Sequence, residues 1–363
     1  MAAVRAGRWC AVLDPSWPAP LRAAAEEAVA RWADAGRAGP GDLVLFTSGS
    51  TGRPRAVVRT AASWDASTAG LSALTGIGAQ DAVWLPGPLS SSLFLHGAWH
   101  AGAVGAEVLA QRGAPARATA LHAVPALLER AVTAAEEGAL PRLRCAVVAG
   151  DRLPEPLRRR ARALGWRVVE YYGAAELSFV ASRVDEEPLR AFPGADVAAR
   201  DGVLWVRSPY LSRGYLDPGD DGPLRRDGAW ATVGDLGAVR PDGSVDLRGR
   251  ASAAVTTGGS TVVVEEVEHV LAAVDGVADV AVVGADDPRR GAVVVAVVVP
   301  ALSTGRADLR TRLDEAARAL PLAARPRRWY RAAALPRTAA GKLDRPVVAA
   351  AVASGSVDLL AEP

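Results

Sequence analysis

The chain is poor in the residues that build metal centres and disulfide frameworks. Its 363 residues include two cysteines, Cys10 and Cys145, and four histidines, His96, His100, His122 and His269. Two cysteines cannot staple a chain of this size, and such usage suits a reducing compartment. Neither has a histidine or second cysteine close by in sequence, and the histidines are too dispersed for a ligand set; they read as packed or surface residues. Charge is nearly balanced at +2, so no basic surface for nucleic acid is implied. Arginine runs such as Arg158-Arg159-Arg160 read as solvated helix faces. Apolar runs such as residues 292–300 are too short to span a bilayer. The N-terminus lacks the charged and apolar regions of a secretion signal. The common phosphate-loop pattern G-x-x-x-x-G-K-[ST] is also missing. These absences predict a soluble cytoplasmic protein without a nucleic-acid or membrane partner; homo-oligomerisation is left open.

What is present starts at Leu43-Val44-Leu45-Phe46-Thr47-Ser48-Gly49-Ser50-Thr51-Gly52-Arg53-Pro54. Four apolar residues read as a buried strand, after which hydroxyls and glycines alternate. Such a loop has little bulk, reaches φ > 0 at its glycines and gathers O–H and N–H donors, which is what wrapping a polyphosphate requires. A flexible Ser/Gly surface loop is the competing reading.

Length allows two domains and a sizeable core. Residues 21–36 place Leu21, Ala25, Val29 and Trp32 on one helical face. Strand candidates 83–85, 118–122, 144–148 and 167–171 then alternate with helical stretches 93–110, 125–136 and 155–164. That alternation predicts an α/β fold with a mostly parallel sheet covered on both faces. From Val203 short, turn-separated strands (203–207, 238–240, 244–248) indicate an antiparallel β subdomain, with Pro241-Asp242-Gly243 as a hairpin turn. Helix 265–273, strands 277–283 and 293–299, helix 307–319 and a basic tail describe a small α+β domain, and the resemblance set out below implies that it is mobile. The predicted division is 1–250, a large mixed α/β domain with its β subdomain, and 251–363, a lid. The 46 residues before Thr47 are expected to leave a sheet layer incomplete, with a face exposed or covered by a partner chain.

Four further segments belong with the first loop. Glu170-Tyr171-Tyr172-Gly173-Ala174-Ala175-Glu176 reads as a strand entering a glycine turn, with an aromatic before it and an acid after it. An aromatic face stacks on a purine, and an acid near phosphates holds Mg²⁺. Gly234-Asp235-Leu236-Gly237 sets an acid between glycines, suited to ribose hydroxyls. Gly249-Arg250 precedes Thr257-Gly258-Gly259 and Glu265-Glu266-Val267-Glu268. Pro336-Arg337-Thr338 leads to Gly341-Lys342, a lysine displayed beyond a glycine. Each segment taken singly is more often architectural than catalytic; their joint, ordered occurrence removes that reading.

The chain thereby resembles the adenylate-forming superfamily of acyl- and aryl-CoA ligases, peptide-synthetase adenylation domains and luciferases. The family's T-S-G-[ST]-T-G-x-P-K corresponds to Thr47–Arg55, Y-G-x-T-E to Tyr172–Glu176, and G-D to Gly234-Asp235. Its junction G-R corresponds to Gly249-Arg250, G-G-…-E-V-E to Gly258–Glu268, and P-R-T-x-x-G-K-x-x-R to Pro336–Arg345. The resemblance implies that Thr47, Ser48, Gly49, Ser50, Thr51, Gly52 and Arg55 hold the ATP phosphates. Tyr172 would stack on adenine beside Gly150-Asp151, with Gly173 and Ala175 flanking the nucleotide. Glu176 would ligate Mg²⁺, Asp235 and Arg250 would bind ribose, and Lys342 would bridge substrate carboxylate and α-phosphate. It further implies that the small domain rotates near Arg250, withdrawing Lys342 and presenting Gly258 and Gly259 to the pantetheine arm of CoA.

Departures from the family pattern are specific. Arg55 replaces Lys, Ala56 replaces Gly, Ala175 replaces Thr, and Ser252 lies where Asp or Lys is usual. The aromatic or histidine expected near Ser90–Ser92 is missing, with His96 close behind as a substitute. The expected acid pocket, formed by residues 86–97, 148–151 and 173–177, is small and mostly apolar, which favours a modest aliphatic or aromatic acid. A second carboxylate, as in an o-succinylbenzoate-type acid, would need a cation, and Arg55 and Arg59 are the ones near in sequence. The leading expectation is an ATP-dependent acid–CoA ligase. Loading of a phosphopantetheinyl carrier protein and a degenerate, non-catalytic nucleotide-binding protein are the alternatives.

Overall fold

A computed structural model describes residues 2–47, 54–220, 222–250, 254–257, 260–287, 291–301, 306–338 and 341–360. The chain divides into two compact units, one of Met1–Val233, Ala238–Asp246 and Ala339–Gly341, the other of Gly234–Gly237, Leu247–Thr338 and Lys342–Pro363.

The first unit opens with α1 (Ala2–Arg5), β1 (Cys10–Val12), α2 (Ala19–Asp34), β2 (Asp42–Thr47) and β3 (Arg55–Thr60). β1 runs parallel to β2, which pairs antiparallel with β3 in the register Thr47↔Arg55. The apolar run Leu43–Leu45 alternates across this sheet. Val44, Val58 and Leu216 meet Val29 and Trp32 of α2 on one side. Leu43 and Leu45 meet Val4, Trp64, Leu95 and Trp99 on the other. Both faces of β2 are therefore covered by this chain itself.

Next come α3 (Ala61–Thr75), β4 (Ala82–Trp84), α4 (Ser92–Val104), β5 (Glu107–Leu109), β6 (Ala120–Ala123), α5 (Pro125–Glu136), β7 (Cys145–Val148), α6 (Glu155–Ala163), β8 (Arg167–Ala174) and β9 (Ser178–Val184). Thr60 caps α3 by accepting from the Ser63 N–H, and Gly76 closes it in the left-handed region. The expected helix over 93–110 stops at Val104, because Gly105 takes φ +76° and releases the chain into β5. With β10 (Arg190–Ala191), the strand order is β10-β9-β8-β7-β6-β4-β5. Strands β4 to β8 are parallel and β9 is antiparallel. Residues alternate between layers: Trp84, Leu121, Ala146 and Val168 pack on α5 and α6. Val83, Ala120, Cys145 and Val169 pack toward α3 and α4. This is the doubly covered parallel sheet that buried apolar strands predict.

An antiparallel group follows: β11 (Asp196–Arg200), β12 (Val203–Arg207), β13 (Gly214–Tyr215), β14 (Arg225–Asp227) and β15 (Trp230–Thr232). β12 pairs with β11 and β15, β15 pairs with β14, and β13 returns to pair with β3. β16 (Asp235–Val239) and β17 (Val245–Arg250) are the strands along which the division into units is drawn. Pro241-Asp242-Gly243 forms the turn between them, with Gly243 at φ +79°.

The second unit holds β18 (Ala254–Thr257), β19 (Ser260–Val263), α7 (Val264–Ala272), β20 (Val277–Asp287), β21 (Gly291–Pro300), α8 (Arg306–Ala317), β22 (Arg328–Arg331), α9 (Arg345–Ser354) and β23 (Asp358–Leu359). β20 to β23 form one sheet. Val280, Val282, Val294 and Val298 bury one of its faces under α7 and α8. The expected basic tail is in fact folded: β22 and β23 extend the sheet, and Asp344 caps α9 through the Val347 N–H. Among the described residues no helix is long and apolar enough to cross a membrane.

Candidate active site

In open parallel sheets, ligands gather outside the carboxyl ends of the strands, where the winding direction reverses. Here β5 lies on one side of β4 and β6 on the other, so the reversal sits at β4 and β6. Residues 85–91, Val124, Ala149-Gly150-Asp151 and Ala175-Glu176-Leu177 all follow strands at that edge. Two expected site segments are thereby brought side by side, since β7 and β8 pair in parallel as Val148↔Glu170. Gly150 takes φ +91°, and the exposed Asp151 carboxylate accepts the Arg152 N–H at 2.8 Å. Tyr172 is half-buried in β8 against the Leu177, Val180 and Val206 cluster.

Gly173 is not the turn residue that its sequence position suggests. β8 continues through it to Ala174 and pairs back with β9 as Gly173↔Phe179 and Ala174↔Ser178, leaving Ala175-Glu176-Leu177 as the hairpin loop. A Cβ on Gly173 would lie 2.0 Å from the Ser178 carbonyl oxygen, so close backbone approach excludes every other residue. Gly173→Ala should lower the melting temperature by about 2–12 °C, from an overpacking cost of about 1–3 kcal/mol. Gly78→Ala, where a Cβ meets nothing within 4 Å, is the control. Equal melting curves for the two variants would refute this account of Gly173.

The loop presents Glu176, which is 7% exposed. Its Oε1 accepts the Tyr215 hydroxyl at 3.0 Å, and its main-chain oxygen accepts the Ser212 N–H at 2.8 Å. Tyr215 is fixed in turn: its hydroxyl accepts the Leu224 N–H, and a Cβ on Gly222 would strike its ring at 2.4 Å. At the exit of the first loop, Thr47 Oγ1 donates to the Arg55 carbonyl, and Arg55 Nε donates to Asp220 Oδ1 at 2.7 Å. Asp220 also accepts the Gly222 N–H, so Arg55 and Glu176 are linked through the residues that cradle Tyr215. The sequence reading missed Tyr215 and Asp220; Gly214-Tyr215 was a visible signal, but Asp220 joins only through tertiary contact.

His96, expected to stand in at the mouth of the acid pocket, instead lies 4% exposed within the core. Its ring sits edge-on to Trp64 and Phe179, and Nε2 pairs with Ser67 Oγ at 3.0 Å. His100 pairs likewise with Ser72, and a Cβ on Gly97 would come within 2.9 Å of the His122 ring. These three histidines are buried together at α3, α4 and β6, and burial holds all three below the ordinary imidazole range.

In the second unit Asp235 begins β16 and is 2% exposed, directly after Gly234 at φ +80°. Arg250 ends β17. A Cβ on Gly249 would meet Glu265 at 2.6 Å. Glu265 and Glu268 flank Arg345, at 3.8 and 2.5 Å. Lys342 is exposed on a loop closed at both ends: Thr338 N–H donates to the Lys342 carbonyl, and Lys342 N–H donates to Thr338 Oγ1. Gly341 takes φ +81°, and Arg337 bridges to Leu343. Lys342 is also the only lysine in the sequence, every other basic side chain being arginine. Ser48, Gly49, Ser50, Thr51, Gly52, Gly258 and Gly259 lie outside the described residues.

Among the described residues no group of three or more histidines, cysteines and acids could hold a metal by itself. A lone carboxylate is nevertheless the usual protein contribution to Mg²⁺ bound with substrate phosphates. The described residues donate one hydrogen bond, from Tyr215, to the Glu176 carboxylate. Glu176 therefore fits such an ion.

Residues 1–216 match the family model described as AMP-binding enzyme, and residues 266–342 match its C-terminal domain. An uncharacterised acyl–CoA ligase of Bacillus subtilis is 30% identical over 83% of this chain and 66% of its own length. A probable 2-succinylbenzoate–CoA ligase of Mycobacterium tuberculosis is 32% identical over 84% of this chain and 82% of its own. This chain spans only 51% of a p-hydroxybenzoic acid–AMP ligase of Mycobacterium marinum, to which it is 28% identical over 86% of its own length. Among solved structures, a variant of E. coli MenE with bound OSB-AMS superposes with a TM-score of 0.75. It is 26% identical and matches over 86% of this chain and 69% of that one.

Proposed function

Because the chain belongs to the AMP-binding enzyme family, we propose that it joins a carboxylic acid to AMP with ATP and then passes the acyl group to CoA. The observation that carries this reading is Lys342: a chain that otherwise uses only arginine keeps one lysine, on a closed, exposed loop. In the first step the substrate carboxylate attacks the α-phosphorus and pyrophosphate leaves. Two anions approach, so a compact cation at the forming bond lowers the barrier. Lys342 supplies it as a point charge that arginine's planar fork does not reproduce. Bound at Glu176, Mg²⁺ would supply neutralisation of the triphosphate. Tyr172 and Asp151 flank the adenine, and Asp235 and Arg250 take the ribose. In the second step the CoA thiol attacks the acyl carbon and AMP leaves. We assign the first step to a domain of residues 1–250 with Lys342 contributed by a lid of residues 251–363. Cys10 and Cys145 are free thiols, which supports placement in the cytosol.

The same geometry bears on the acid. Among the described residues, the two arginines that the sequence placed near a second carboxylate, Arg55 and Arg59, are committed to protein groups. Arg55 is ion-paired with Asp220, and Arg59, 1% exposed, donates to the Ala175 and Tyr210 carbonyls. A monocarboxylic aromatic or short aliphatic acid is therefore the substrate class. Pyrophosphate release should be at least about tenfold faster, as kcat/KM, for benzoate-type monoacids than for 2-succinylbenzoate, since a desolvated unpaired carboxylate is strongly disfavoured. A preference for the diacid would overturn this assignment. Free CoA and a purified phosphopantetheinyl carrier protein, offered in turn to the adenylate, decide the acceptor. ATP binding without turnover of any acid would identify a non-catalytic nucleotide-binding protein.

A further inference from the structure

The interior beneath the Glu176 loop contains a charge that the proposed chemistry does not use. Arg59, on β3, is among the largest fully buried side chains of the protein. Taking a guanidinium out of water is costly unless its donors are satisfied. Its two terminal nitrogens donate to the main-chain carbonyls of Ala175 and Tyr210, while Nε has no hydrogen-bond partner. The guanidinium carbon stands 5.8 Å from the Trp64 ring centre. Burial pulls the Arg59 pKa down to about 9, opposed by Glu176, so the group is charged at neutral pH.

The choice of carbonyls is informative. Ala175 begins the hairpin loop that carries Glu176. Tyr210 opens the segment whose Ser212 N–H holds the Glu176 main chain and whose Tyr215 hydroxyl holds its carboxylate. One guanidinium thus pins both stretches of backbone that locate this acid. Two carbonyls on separate segments are spanned by a planar, forked donor.

We propose that Arg59 is a positioning residue for the metal side of the adenylation site, clamping the Ala175–Leu177 loop so that Glu176 is preorganised as a ligand. This deepens the function proposed above and rests on it. Ala175 gives the clamp added weight, because a side chain without a hydroxyl cannot anchor the loop from its other side.

The test compares wild type with Arg59→Lys and Arg59→Gln by amide hydrogen exchange and by Mg²⁺ titration of ATP-induced thermal stabilisation. Should Arg59→Gln not fold, Arg59→Lys keeps the charge and stem and carries the test. In folded Arg59→Lys, exchange over residues 174–178 and 210–215 should rise at least about tenfold with the rest of the chain unchanged. The half-saturating Mg²⁺ concentration should rise by about tenfold or more, and kcat should fall while KM for the acid stays within about twofold. Unchanged exchange over those residues, or a rise spread evenly over the chain, would overturn the clamp. If wild type forms no adenylate from any acid, the functional reading falls, and the exchange data still decide the clamp.

Discussion

Lys342→Ala should slow adenylate formation by about a hundred- to a thousandfold, the usual loss for one preorganised transition-state donor. The second half-reaction should survive: supplied with ready-made acyl-AMP, the variant should form thioester at close to the wild-type rate. Lys342→Arg should also fail, by at least about tenfold, because a broad fork cannot sit between two converging oxyanions as an ammonium does. That expectation is pointed in a sequence where arginine is used at every other basic position. The melting temperature should stay within about 2 °C, as for a surface substitution, since Lys342 is exposed. ATP–pyrophosphate exchange and thioester assays run side by side separate the two steps. An alanine variant that makes adenylate at the normal rate would remove Lys342 from the chemistry.

The second large effect concerns acid. His100 and His122 are buried and their pKa values are held down to about 4 and about 3, with desolvation the main cause for each. His96 is pushed the same way by burial, then by His100, His122 and Arg59. The folded values lie below the unfolded value near 6.5, so the native state binds fewer protons than the unfolded chain. The stabilisation is complete above pH 6.5 and is lost as pH falls from there toward the folded values. Each histidine contributes a slope of about 1.4 kcal/mol per pH unit, so at pH 5 His100 and His122 together have lost about 4 kcal/mol. Against a total of about 5–15 kcal/mol, that is enough to bring the first unit close to unfolding. Melting temperature should fall steeply between pH 6.5 and 5, and His122→Leu should flatten the slope. A melting temperature constant over this range would refute the burial argument.

The sequence was most readable where burial is uniform. β6 and β7 are apolar runs sandwiched between layers, and α5 carries its face at helical spacing, so each was found within two residues. β9 was missed because it mixes Ser182 and Arg183 into an apolar run. Ser182 is buried, and Arg183 reaches across to Glu170. Arg59 was legible only as a spare cation near the site, because a strand's polar residue ordinarily faces water. Its inward direction is set by two carbonyls on distant segments. Gly173 was noticed for the right place and the wrong reason, since its neighbour across the hairpin is invisible to spacing. The α9 start had a local signal that went unread: Asp344 followed by Arg345-Pro346 is a helix cap with proline in the first turn.

The closed Thr338–Lys342 loop has a practical corollary. With one ε-amino group in the sequence, amine-directed dyes, biotin esters or isotopic methyl tags reach one side chain besides the α-amino terminus. A fluorophore or ¹³C-methyl probe placed there gives one side-chain signal per molecule, distinct from that of the terminus. That signal reports how the loop's surroundings change as each substrate is added in turn.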